Sequence, residues 1–268
     1  MYATAPYSLN LGGRLLELSE PVVMGILNAT PDSFYAASRS KTEGEIAQRA
    51  EQILAEGGSI IDIGACSTRP GSKPVSEDEE TERLTRAMKT VRQVAPEAIV
   101  SVDTFRASVA ERIAGEYGPV IVNDISGGQD PEMFPLVARM GLPYVLTDTA
   151  GRALSTGFAR ALSELRELGQ RDIIADPGFG FGKTLDENYQ VMAELEAYRE
   201  LDLPLLVGVS RKSMVYKLLG ITPDDALNGT TVLHTLALVA GAHILRVHDV
   251  AAAVETIHIV EKTINCKL

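Results

Sequence analysis

The 268-residue chain has 25 Lys and Arg against 36 Asp and Glu, a formal charge of −11, with 45% hydrophobic and 23% charged residues. This is enough apolar material for a sizeable core, and it excludes collagen-like, rod-like and low-complexity chains. The acidic balance argues against nucleic-acid binding, which needs clustered cations, but leaves room for a small anion held by a few local ones.

Taken in order, Tyr7 to Leu18 reads as a β-hairpin, with Gly12-Gly13 as the turn between alternating apolar residues. A rhythm then begins of short apolar runs, polar or glycine-containing breaks and helical patterns. The runs are Val22–Leu27, Ile60–Ile63, Ile99–Val102, Val120–Val122, Tyr144–Leu146, Ile173–Ala175, Leu205–Val209 and Ile244–Val247. Their near-continuous hydrophobicity is that of parallel strands buried on both faces. Between them Ile46, Ala50, Ile53 and Leu54 share one helical face, as do Leu84, Ala87, Met88 and Val91. Capping-box spacing predicts helix starts at Thr42 with Glu45, Ser76 with Glu79, and Thr184 with Glu187. Gly57 and Gly169 stand where helices should end. A last helix follows the eighth run, from Val250 to Ile264.

Eight strand–helix units predict a (β/α)8 TIM barrel with a short N-terminal β-hairpin, one domain over residues 1–268. An open doubly wound sheet is the alternative. Thr231 to Val247, the most apolar late stretch, is interrupted by His234 and His243, so no membrane span is expected. The first residues lack the basic and apolar pattern of a secretory signal. Cys66 and Cys266 lie far apart and form no disulfide framework, which favours a reducing cytoplasm.

A barrel places its chemistry at the C-terminal ends of its strands. Those ends carry Asn28, Asp62, Asp103, Asn123-Asp124, Thr147-Asp148, Asp176, Ser210-Arg211-Lys212, and Arg246 with His248. A single Asp after a strand is commonly a helix cap or turn residue, and Asp124, Asp148 and Asp249 fit that reading. Arg246 and His248 lie two apart on one strand face and would suit an anion such as pyrophosphate. The alternative for Arg246 is a pair with an interior carboxylate. His234, His243 and His258 have no ligand spacing and read as packing residues. The glycine-rich stretch Asp176–Thr184 fails both the phosphate-loop and dinucleotide patterns; it is expected to wall a flat-ring pocket with Phe181. Ser67–Pro74, with its two cations and many turn formers, reads as a mobile lid.

Several segments together resemble the dihydropteroate synthase family. They are Met24–Phe34, Ile61–Gly64 with Ser67–Gly71, Ser101–Thr104, Asn123–Ile125, Asp176–Lys183, Gly208–Ser213 and Arg246–Asp249. The match runs in order from about residue 8 to residue 260. The resemblance implies a (β/α)8 transferase of folate synthesis that joins 6-hydroxymethyl-7,8-dihydropterin pyrophosphate to p-aminobenzoate. It also implies help from Mg²⁺ and competition by sulfonamides. Asp103, Asn123, Asp176 and Lys212 would hold the pterin. Asp62 belongs to the same substrate site. Asn28, Arg246, His248 and Mg²⁺ would meet the pyrophosphate, with Asn28 as the metal ligand. Thr68, Arg69, Pro70, Phe181, Lys212 and Ser213 would hold p-aminobenzoate. Catalysis would rest on Asp103, Asp176, Lys212, Arg246 and His248. The loops Pro31–Thr42 and Ser67–Pro74 would be lids that order once pyrophosphate binds. A homodimer through C-terminal helices is also expected.

The chain departs from the family pattern at Tyr35-Ala-Ala, at Cys66 where Glu is common, and after strand five. There Thr147–Gly151 replaces a longer polar segment. This change motivates two alternatives, a non-catalytic pterin-binding paralogue and a pterin-dependent methyl transfer domain. The Ser67–Pro70 and Ser210–Ser213 sets favour the synthase.

Overall fold

The computed structural model describes residues 6–29, 36–66 and 75–266, without the side chains of 36–42 and 265. β1 (Tyr7–Leu11) and β2 (Arg14–Leu18) form the antiparallel hairpin, with Leu9 opposite Leu16. The chain then alternates: β3 (Val22–Asn28), α1 (Ala36–Ala55), β4 (Ile60–Gly64), α2 (Glu77–Val94), β5 (Ile99–Asp103) and α3 (Ala107–Tyr117). It continues with β6 (Ile121–Asp124), α4 (Met133–Met140), β7 (Tyr144–Thr147), α5 (Thr156–Glu167), β8 (Ile173–Asp176) and α6 (Leu185–Ala193). It ends with β9 (Leu206–Val207), α7 (Ser213–Leu219), α8 (Leu227–Val239), β10 (Ile244–Val247) and α9 (Val250–Asn265).

The eight parallel strands pair in the order β8-β7-β6-β5-β4-β3-β10-β9. A parallel bridge between Ala175 and Leu205, with the Ala175 amide donating to Pro204 O at 2.9 Å, joins β8 to β9. The ring is therefore closed, as a barrel requires and an open sheet does not.

Strand periodicity explains what each face buries. Ile61, Ile63, Val100, Val102, Val122, Leu146, Val207 and Leu245 point outward into the layer shared with the helices. Met24, Ile60, Ile121, Val145, Ile174, Leu206 and Ile244 form a separate inner cluster with Leu9, Leu11, Leu16 and Leu18 of the hairpin. The hairpin thus plugs the N-terminal end of the barrel with its alternate leucines. Two residues further along, the inward positions are Ile26, Asp62, Ser101, Asn123, Thr147, Asp176, Gly208 and Arg246. The interior turns from apolar to polar within one strand repeat.

The differences from expectation lie at element ends. β3, β5, β6 and β8 run one or two residues further, to Asn28, Asp103, Asp124 and Asp176, because the ladder pairs backbone whatever the side chain. β9 shrinks to two residues: Leu205 joins by the bridge alone, and Val209 O accepts the Lys212 amide in a turn. Thr42 does not start a helix, since α1 begins at Ala36. Ser76 does cap α2, accepting the Glu79 amide at 3.2 Å, and Thr184 with Glu187 forms a full capping box on α6. Gly57 and Gly169 follow α1 and α5 with φ of 92° and 86°.

Candidate active site at the mouth of the barrel

The polar layer and the strand ends above it make one connected cluster. Arg246 Nε donates to Asp62 Oδ2 at 2.7 Å, and its Nη2 donates to Asp103 Oδ2 at 2.8 Å. The Asn123 amide donates to both Asp62 oxygens at 3.4 Å. Arg246 is therefore paired with interior carboxylates, the alternative weighed above, and is not an unopposed cation. Burial lowers the Arg246 pKa, but Asp62 and Asp103 raise it further, so it remains charged. Burial pushes Asp103 up, to about 7, against the pull of Arg246 and with a further push from Asp62.

At the end of β8 Asp176 accepts the Gly178 amide at 2.9 Å and the Thr147 hydroxyl at 3.5 Å. Burial raises its pKa, and the nearby Lys212 ammonium works the other way. Lys212 donates to the Phe179 carbonyl, and its Nζ lies 4.4 Å from the centre of the Phe181 ring. Desolvation brings the ammonium down to about 8, with Asp176 opposing the change. Ser213 follows it as the first residue of α7.

The glycine-rich loop after β8 is held by contacts only its backbone allows. Gly178 has φ of 68°, and a Cβ there would lie 2.3 Å from Asp148 O. Lys183 donates to Asp148 O and Gly178 O at 2.7 and 3.0 Å. Buried Asn188, on α6, accepts the Gly180 amide at 2.7 Å. This keeps Phe181 beside Lys212.

His248 follows β10. Its backbone N–H donates to Ser210 Oγ at 3.1 Å, and Oγ lies 3.1 Å from the ring Nδ1. A hydroxyl that accepts from the backbone can give its own proton to Nδ1, an arrangement that places the ring hydrogen on Nε2. Burial and then Arg246 bring the imidazole down to about 4, so it is a neutral donor near pH 7.

Asp124, Asp148 and Asp249 serve the scaffold. Asp124 accepts Ser126 N, Gly128 N and Tyr144 OH; Asp148 accepts Ala150 N, Ser155 N, Ser155 Oγ and Tyr198 OH. Asp249 takes both arms of Arg211 at 2.8 and 2.9 Å. His234 is buried in α8, and His243 Nδ1 accepts the Leu205 amide at 3.1 Å.

Thr68, Arg69 and Pro70 lie outside the described residues, as does the rest of 67–74. Of the other expected lid, 31–35 lie outside and 36–42 begin α1. Among the described residues no group of three His, Cys, Asp or Glu could hold a metal. Asn28 is exposed at the end of β3. Its Oδ1 and Asp103 Oδ2 lie 3.9 and 3.7 Å from where a Gly64 Cβ would stand, so Gly64 leaves space between two oxygen donors.

The inward face of β5 adds a residue beyond those expected from the sequence. Ser101 is fully buried on the inward face of β5, and among the described residues its hydroxyl has no hydrogen-bond partner. Asn123 Oδ1 is equally unpaired. Alternation from Asp103 would have placed Ser101 inside. Buried unpaired polar atoms within the polar layer are poised for a ligand.

The model of the family described as "Pterin binding enzyme" matches residues 24–248. The dihydropteroate synthase of Escherichia coli K12 is 36% identical over 272 residues, covering 95% of this chain and 96% of that protein. The chain belongs to the dihydropteroate synthase family. The solved Xanthomonas albilineans dihydropteroate synthase with 4-aminobenzoic acid superposes with a TM-score of 0.87 at 33% identity, covering 97% of this chain and 98% of that one. A Yersinia pestis dihydropteroate synthase in a sulfonamide drug complex gives 0.86 at 37% identity, covering 97% and 100%. The chain brings Asp62, Asp103, Asn123 and Arg246 together in one hydrogen-bonded cluster, with Asp176, Phe181 and Lys212 beside it. His248 and Asn28 stand at the strand ends.

Proposed function

We propose that this mouth joins 6-hydroxymethyl-7,8-dihydropterin pyrophosphate to p-aminobenzoate, giving 7,8-dihydropteroate and pyrophosphate. The observation that carries the reading is the ring of Asp103, Asn123 and Asp176 around buried unpaired oxygens, with Lys212 at its edge. A pterin edge offers clustered N–H donors beside an acceptor. The two carboxylates suit the donors, Asn123 suits either, and Lys212 suits the acceptor. Asp62 holds Arg246 and Asn123 in place for that edge.

The reaction breaks a C–O bond to pyrophosphate, forms a C–N bond to the arylamine and loses one amine proton. Little covalent work falls to the protein, so charge placement and alignment carry the catalysis. Arg246, bound to two carboxylates, orients them more than it neutralises the leaving group. The neutral His248 offers Nε2–H to it. Asn28 would hold Mg²⁺ through its amide oxygen, a hard donor beside an open space, as suits an ion that keeps waters and phosphate oxygens. When bound, Mg²⁺ supplies positive charge to the departing pyrophosphate. The arylamine would enter over Phe181, Lys212 and Ser213, with Thr68, Arg69 and Pro70. Sulfonamides would compete there, as the Yersinia pestis complex supports.

The same reading makes the protein a cytoplasmic homodimer. Its two cysteines are free thiols, as a reducing compartment allows, and no helix among the described residues is long and apolar enough to cross a membrane. Leu218 and Leu219 of α7, Val232 and Leu236 of α8, and Ile259 of α9 expose apolar surface suited to a second copy.

The test is pyrophosphate release from the pterin pyrophosphate with Mg²⁺, with and without p-aminobenzoate, for wild type and Lys212→Ala. Release should require p-aminobenzoate. Lys212→Ala should lose about 1.5–3 kcal/mol of transition-state binding. Pterin binding without any release would instead make the chain a non-catalytic pterin binder.

A further inference from the structure

The ends of β3 and β10 are joined past the last pair of their ladder by a side chain from α1. The ladder stops at Val247 with Gly25. Beyond it Arg49 Nε donates to Ile26 O at 3.2 Å, and Arg49 Nη2 donates to His248 O at 2.6 Å. The remaining arm donates to Gln52 Oε1, one turn along the same helix, at 3.2 Å. The planar fork of a guanidinium spans the two strand carbonyls at once, which a single ammonium does not do.

Packing does not account for Arg49. Ile46, Ala50 and Ile53 already seat α1 on the barrel. A half-buried charge is costly and is ordinarily matched by an opposite one. At the same end of the barrel Arg246 has Asp62 and Asp103, and Arg211 has Asp249. Among the described residues Arg49 forms no ion pair, and its acceptors are one side-chain amide and the two carbonyls. A charged donor binds a carbonyl more strongly than a neutral one, so the guanidinium makes a stiff join between the strand ends.

The join falls on His248. Ser210 Oγ accepts its backbone N–H and lies 3.1 Å from the ring Nδ1, while Arg49 takes its carbonyl. The residue is thus held at its amide, its carbonyl and one ring nitrogen, which leaves Nε2 for a ligand. Burial first, then Arg246, and with them Arg211 and Arg49, keep the imidazole neutral against Asp249.

We infer that Arg49 is a positioning residue for the pyrophosphate end of the site: by tying the His248 carbonyl to β3 it fixes where the imidazole meets the leaving group, without touching the substrate. The inference rests on the reading of His248 as a pyrophosphate donor. It predicts that the two ends of the site respond differently, because none of Asp103, Asn123, Asp176 and Lys212 is bonded to Arg49.

Two ligands separate the ends in calorimetry: inorganic pyrophosphate with Mg²⁺, and 6-hydroxymethyl-7,8-dihydropterin, which lacks the pyrophosphate. Arg49→Lys keeps the charge without the fork, and Arg49→Met removes both. In each, the Kd for pyrophosphate should rise about tenfold, the effect of misplacing one hydrogen bond to a charged group. The Kd for the pterin should stay within about twofold, because its contacts are untouched. In a His248→Ala background Arg49→Lys should add less than about twofold, since the donor it places is gone. Arg49→Lys, the milder change, carries the test if Arg49→Met folds poorly. The positioning role is overturned by unchanged pyrophosphate affinity in the variants, by pterin affinity that falls in parallel, or by a loss that persists without His248. Wild-type pyrophosphate affinity in Arg49→Lys beside a weakened Arg49→Met overturns it too, since charge alone would then suffice. A wild type that binds neither ligand would instead defeat the functional reading on which the inference rests.

Discussion

At the scale of single residues, the site works by opposing burial to charge. Asp103 is pushed up by desolvation to about 7 while bound to Arg246, and Lys212 is brought down to about 8 while facing Asp176. Both shifts disfavour the charged forms that the pterin edge would meet. Asp103 accepts fully only above its pKa, and Lys212 donates as an ammonium only below its own. kcat/KM for the pterin pyrophosphate should therefore rise through about 7 and fall again through about 8. Lys212→Arg, which keeps its proton throughout, should flatten the alkaline limb and leave the acid limb in place. A pH–rate profile of the two proteins checks this. The imidazole of His248, already neutral above about 4, should contribute no limb near its ordinary value.

At the scale of elements, the loop that carries Phe181 is governed from α6. Thr184 accepts the Glu187 amide at 3.2 Å, Glu187 accepts the Thr184 amide at 2.6 Å, and Asn188 holds Gly180. Glu187 is held below its ordinary pKa by the Thr184 bonds, which favour the charged carboxylate. Thr184→Ala should lower stability by about 1 kcal/mol, the usual cost of a lost N-cap, as read by urea unfolding. The capping box was legible at Thr184 because it is a local pattern of residue types at fixed spacing. The same pattern at Thr42 marks no helix start, because α1 already begins at Ala36 and packs its apolar face on the barrel.

At the scale of the molecule, α8 is apolar almost all round. Leu233, His234, Ala237 and Leu238 are buried, while Val232 and Leu236 are 53% and 50% exposed on the other side. Wild type should sediment as a dimer at micromolar concentration, and Val232→Glu with Leu236→Glu should sediment as a monomer with an unchanged circular dichroism spectrum. A monomeric wild type would remove the homodimer from the proposal.

Much of this protein was determined by its sequence alone. The eight apolar runs, the hairpin with its Gly12-Gly13 turn and the polar residues ending each strand are one-dimensional signals, since a strand buried on both faces must be apolar throughout and a barrel must place its chemistry at one end. Which polar ends serve the site was not in those signals. Asp124 and Asp148 resemble Asp103 and Asp176 in sequence, yet Tyr144 and Tyr198 reach their oxygens from 20 and 50 residues along the chain. Arg246 finds Asp62 across 184 residues, and Glu80 reaches Arg106 between two helices. Pairings of that separation are set by ring closure and by the need of every buried charge for a partner, and only the tertiary structure decides which partner is near.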